Sequence, residues 1–216
     1  MSEVNLQLVR ECFELNGFHV QTNWRHGARG RRFSGDGSHL YAVNPAPRTA
    51  PHPLGLLLYP ADLPLIASAL VEVRAWHGER FYPSVIENNP NITAFAAPSA
   101  MEEARARHGG AATVSILVIS ALPAASTARA RAIQLLQAAG VGHVMEFSYI
   151  LQDVLSHVDS EGHYTGSQTL QTLRLLKRYR LIRNQQLEFP FAGEPVPPAE
   201  EPPVDASVPV DEEDAE

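Results

Sequence analysis

Asp62 and Glu72 are the residues whose types and spacing most directly suggest chemistry. They lie symmetrically about Ala67, inside two stretches, 54–66 (LGLLLYPADLPLI) and 69–77 (ALVEVRAWH), that read as strands. Too few residues separate these stretches for a helix, so an antiparallel hairpin is expected. A reversal near Ala67 would make the two carboxylates cross-strand partners, with Cβ atoms about 5 Å apart. Such a pair can share a hard dication such as Mg2+, which takes oxygen ligands and keeps waters for chemistry. Alternation along the second stretch sends Val71 and Val73 to one face, toward a core, and Glu72 and Arg74 to the other, toward a cleft. The plainer alternative is an amphipathic strand whose Glu72/Arg74 pair faces solvent.

The elements that must hold these residues follow from periodicity. Leu6, Val9 and Phe13, with Leu8, Cys12 and Leu15, recur at helical spacing before Gly17, a natural stop. Residues 18–24 alternate as a half-buried strand. A glycine-broken basic loop, 25–32 (RHGARGRR), leads into 33–53, where four prolines and the Gly35-Asp36-Gly37 cluster predict a long irregular excursion. Beyond the hairpin come a helix over 98–108, a buried strand over 113–121, a helix over 126–139 with Ser126 as N-cap and Gly140 as stop, and a strand over 141–147. Helices over 149–158 and 167–183 follow. Strands separated by helices imply right-handed crossovers and a partly parallel sheet. The fold class is α/β, divided into a core over 1–158, a basic helical extension over 159–188 and a tail over 189–216.

Composition narrows the functional classes. The 216 residues are 44% hydrophobic and 19% charged, as in a globular protein with one main core. The net charge of −7 is uneven: residues 189–216 carry nine acids and no base, leaving 1–188 with 15 acids against 17 bases. The tail also holds seven of the 17 prolines and is expected to be disordered. A single cysteine, Cys12, permits neither an internal disulfide nor a multi-thiolate zinc site and is expected to pack as a small hydrophobe. Residues 1–5 do not read as a signal peptide, and the longest apolar run, near 114–125, is short of the roughly 20 residues of a spanning helix. A cytoplasmic protein without membrane insertion is the expectation. Neither phosphate-cradling glycine fingerprint occurs, residues 35–39 read as a turn, and the nine histidines lack paired-ligand spacing.

Pro60-Ala61-Asp62, followed ten positions later by Glu72-Val73-Arg74, resembles the D…(D/E)-x-K signature of the PD-(D/E)XK nuclease superfamily. The expected order of a helix, a three-strand meander, a crossover helix and a further strand is similar to that superfamily's core. The resemblance implies a restriction-endonuclease-like mixed β-sheet flanked by helices. It also implies Asp62 and Glu72 as Mg2+ ligands, a third ligand in the Val73 carbonyl, and a water-positioning role for residue 74. An acid on the first helix, Glu11 or Glu14, joins the site in some relatives; on the residues alone both read as solvated charges. Glu87 reads as an exposed acid.

Arg74 replaces the family's lysine with a permanently charged planar head. Two functions are therefore expected: Mg2+-dependent hydrolysis of DNA phosphodiesters, in weakened form, or a binding module that kept the fold and lost the chemistry. Arg25, Arg29, Arg31 and Arg32 beside Trp24, and Arg174, Lys177, Arg178, Arg180 and Arg183 near the end, are candidate phosphate contacts. The final helix carries Leu170, Leu173, Leu176 and Tyr179 as an apolar stripe, so it and the acidic tail also read as a surface for a protein partner.

Overall fold

The computed structural model describes residues 3–22, 38–78, 80–108 and 112–182. All belong to one compact unit, Met1–Asn184. Helix α1 (Glu3–Leu15) leads to β1 (His19–Thr22), β2 (Ser38–Val43) and β3 (Ser68–Arg74). Then come α2 (Pro83–Asn88), α3 (Pro98–Arg107), β4 (Thr113–Ile119), α4 (Ser126–Ala138), β5 (His143–Glu146), α5 (Phe147–His157) and α6 (Gln168–Arg178). The five strands form one mixed sheet in the order β1-β2-β3-β4-β5. The β1–β2 and β2–β3 pairs are antiparallel, and β3–β4 and β4–β5 are parallel. The chain is thus α/β, a five-stranded mixed sheet flanked by helices.

Every residue of β3 is buried, because it is the middle strand and both faces of the sheet are covered. Ala69, Val71 and Val73 join Leu40, Ile116 and Val118 beneath Val9 and Phe13 of α1, Ile150 and Val154 of α5 and Leu170 of α6. Leu70 joins Tyr41, Leu117, Ile119 and Val144 beneath Ile86 of α2, Met101 of α3 and Leu136 of α4. Alternation along the strand thus serves two apolar layers. α1 closes at Gly17, whose φ of +83° a side chain would strain, with the Phe18 amide donating to the Phe13 carbonyl at 3.0 Å. Gly140 ends α4 in the same conformation, as expected.

Two expectations are corrected. Residues 54–66 do not form a strand against β3. Leu57 makes an isolated parallel bridge with Val144 on the outer side of β5, where the Leu58 amide donates to the Val144 carbonyl at 2.9 Å. Pro60–Leu65 then winds into a 3-10 helix. Pro60 and Pro64 lack the amide hydrogens a ladder requires, which removes this segment as a partner for a central strand. The antiparallel partner of β3 is instead β2, which lies within the stretch expected to be irregular and includes Ser38 and His39 of the expected turn. Short α2, between β3 and α3, was likewise not anticipated. The basic segment 25–32 and the tail 189–216 lie outside the described residues. No helix among the described residues is long and apolar enough to cross a membrane.

Candidate functional site

Glu72 sits in the middle of β3 with His39 of β2 directly across the ladder and Leu117 of β4 on its other side. Its side chain points to the face roofed by α2, α3 and α4, away from Val71 and Val73, as alternation demands. It faces no cleft: Glu72 is 0% exposed and Arg74 6%. The expectation of a charged pair turned toward a cleft or toward solvent is therefore corrected, because helices cover this face too.

Both carboxylate oxygens of Glu72 are engaged. One lies 2.7 Å from Nε of Arg74, two residues along the same strand face, and the other abuts Nδ1 of His39. Neither contact is an aligned hydrogen bond, since none of the four atoms meets hydrogen-bond geometry. A fully buried carboxylate needs neighbouring positive charge or hydrogen-bond donors to offset its lost hydration. Arg74 supplies a fixed positive charge and His39 a basic ring. The network stands where the β2–β3 ladder ends, with Ser38 opposite Val73.

Asp62 is elsewhere. Its 3-10 helix packs Leu63 into the core under α1 and α5, on the face opposite Glu72, and Tyr59 beside it stacks edge-on against Tyr149 of α5. Asp62 Oδ2 accepts the Tyr59 amide at 2.9 Å, so its carboxylate caps the turn that carries it. Asp62 and Glu72 are therefore not cross-strand partners. Val73 lies in the ladder between Ser38 and Val118, with its side chain in the α1-side core. Among the described residues no three His, Cys, Asp or Glu side chains converge to hold a metal ion.

The candidate phosphate contacts divide. Arg25, Arg29, Arg31 and Arg32 lie outside the described residues, as does Arg183. Lys177 turns inward, with Nζ donating to the carbonyls of Leu155 at 3.0 Å and Val158 at 2.6 Å, and so caps the C-terminus of α5. Arg178 forks onto Glu161 at 3.0 and 3.2 Å on the surface. Glu87, read as an exposed acid, is exposed and pairs with Arg131 at 3.3 Å.

Three groups were misjudged or missed. His39 is opposite Glu72, and its signal was the short alternation of 38–43, obscured by turn formers on both sides. Glu11, expected to be solvated, is only 4% exposed on α1 and accepts from the Gln7 amide at 2.5 Å. Asn5 is buried and ties the start of α1 to the end of β3, donating to the Ala75 carbonyl at 2.9 Å. Cys12 is buried as expected. Burial first, and then the neighbouring Asp153 carboxylate 3.3 Å away, push its thiol above the ordinary range, which denies it a thiolate's reactivity. Compared with known protein families, with curated proteins and with solved structures, the chain gives no match.

Proposed function

We propose that this chain is a DNA-binding module on a restriction-endonuclease-like scaffold whose hydrolytic centre has become a structural charge network. Support for the scaffold comes from the connectivity: a leading helix, an antiparallel meander of β1, β2 and β3, a helical crossover, and β4 and β5 parallel to β3. The resemblance at Glu72-Val73-Arg74 falls on the strand of that meander where the family carries its acid and lysine. A second acid would belong across the ladder on β2. His39 is there instead.

The observation that carries the loss of chemistry is the complete burial of Glu72 with both oxygens occupied by His39 and Arg74. Mg2+ requires several oxygen donors in near-octahedral array and retains waters. A single carboxylate between an imidazole and a guanidinium offers neither the oxygen set nor room for water, so these residues do not fit the ion. The DNA half of the proposal draws on the sequence alone, on the four arginines clustered in residues 25–32, a density of positive charge suited to phosphate neutralisation.

The test pairs turnover with binding. Supercoiled and branched DNA incubated with the protein and Mg2+ or Mn2+ should remain uncut, while fluorescence anisotropy reports binding that weakens steeply with salt. Replacing Arg25, Arg29, Arg31 and Arg32 by alanine should lower affinity and flatten the salt slope. Metal-dependent cleavage that disappears in Glu72→Gln or Asp62→Ala would overturn the loss of chemistry. The double variant His39→Asp/Arg74→Lys, which places an acid opposite Glu72 and restores the family's lysine, should gain calorimetrically detectable Mg2+ binding.

A second reading has its own observation. Lys177 and Arg178 are engaged within the fold, whereas Leu175, Tyr179 and Leu181 at the end of α6 are exposed, Tyr179 by 71%. That pattern suits an apolar protein contact better than a phosphate backbone. Absence of DNA binding at low salt, with a protein partner lost in Tyr179→Ser, would favour it.

A further inference from the structure

α1 presents a second face besides the one buried against the sheet. Gln7, Arg10, Glu11 and Glu14 recur at helical spacing and line a pocket of about 310 Å3, closed on the other side by the turn at Tyr164 and Ser167 before α6. That volume lies at the small end of ligand pockets and suits a single side chain or a small amine.

The internal hydrogen bonding of this pocket is unequal. Arg10 is committed to Glu14, its Nε 2.8 Å from the carboxylate. The Tyr164 hydroxyl accepts the Asp159 amide at 2.8 Å, and Ser167 Oγ accepts the Leu170 amide at 3.1 Å. Glu11 is the exception. It is 96% buried, yet its contact within the fold is the neutral amide of Gln7, and among the described residues no cation lies within ion-pair distance. Buried carboxylates are ordinarily matched by a charge, as Glu72 is by Arg74. The pocket is where the missing charge can enter.

We infer that this pocket binds an organic cation, a guanidinium or alkylammonium group, with Glu11 as its counter-charge. A planar guanidinium matches a carboxylate by two parallel N–H···O bonds, and an ammonium can also donate to Glu14. A hard metal ion is disfavoured by the donor set, since no three metal-ligating side chains converge among the described residues. The cation can belong to a free small molecule or to an arginine side chain of a peptide, and the chemistry at Glu11 is the same. The site shares no residue with the Glu72 network and stands whether or not the chain binds DNA.

The test is titration of the full chain, followed by amide chemical shifts, with agmatine, with a blocked arginine dipeptide and with a neutral urea analogue. Saturable shifts at residues 7, 11 and 163–167 are expected for the two cations and not for the urea. Preference for agmatine would mark a small-molecule site, and preference for the dipeptide a peptide site. Glu11→Gln, close in shape, should weaken binding about tenfold or more, with an unchanged melting temperature. Glu14→Gln is the second variant: it removes the pocket's other carboxylate, and binding should fall there too, by less than in Glu11→Gln. Absence of saturation with either cation up to about 10 mM, or equal affinity in wild type and both variants, would overturn the inference.

Discussion

Glu72 and Glu11 are both buried carboxylates, and the two regions resolve the same electrostatic problem in opposite ways. Glu72 stands on the central strand between an arginine and a histidine, and helices seal it. Glu11 stands on a helix beside a pocket, with an amide for company. A charge neutralised from within is a structural element, and removing it leaves its partners exposed to the same desolvation. A charge left for something outside to neutralise can be removed at little cost. Arg74 and Lys177 repeat the contrast: the single lysine among 17 basic residues is a helix cap, while the position where the family resemblance asks for lysine holds arginine.

The largest expected effect comes from Glu72→Ala. It strands Arg74 and His39 in the core and should destabilise by about 3–5 kcal/mol, read from urea midpoints. A loss below about 1 kcal/mol would show that the network is not structural and would reopen a functional role for Glu72. Lys177→Met follows, with about 1–2 kcal/mol expected from two carbonyls of the α5 terminus left without their donor. Asp62→Ala should cost about 1 kcal/mol by uncapping its turn, in calorimetric scans. Glu11→Gln should change stability by less than about 0.5 kcal/mol; a larger loss would make Glu11 as structural as Glu72 and erase the contrast.

Cys12, next to Glu11 on α1, supplies an effect confined to alkaline pH, and a sign. Its thiol is raised in the fold, chiefly by burial, so the neutral form is the one folding favours. That contribution is complete below the unfolded thiol's value of about 8.5 and is lost as pH climbs above it. Stability should therefore fall on the alkaline side, and Cys12→Ala should flatten that limb of the pH profile.

How much of this was legible follows residue by residue. α1 and α6 announce themselves because ten or so residues agree on one period, and β4 because its seven residues are mostly apolar. Alternation along β3 correctly opposes Glu72 to Val71 and Val73. What surrounds Glu72 was not legible, since the helices that roof it, α2 to α4, are distant in sequence and short or weakly patterned. β2 was hidden because six residues flanked by glycines and prolines carry too little pattern to outweigh their neighbours. Residues 54–66 misled in the opposite sense: their apolar content reads as strand, while Pro60 and Pro64 remove the donors that a strand in the sheet must offer.

From its residues alone, the chain determines its α/β alternation, the burial of Cys12 and the side of β3 to which each residue turns, because these depend on local period and side-chain character. Tertiary structure alone decided that β3 pairs with β2 rather than with 54–66, and hence that Glu72 meets His39 and not Asp62. Strand pairing is a competition for hydrogen-bond donors among distant segments, and loop-closure entropy grows only slowly with separation. A remote segment with intact amides therefore displaces a nearby one interrupted by proline.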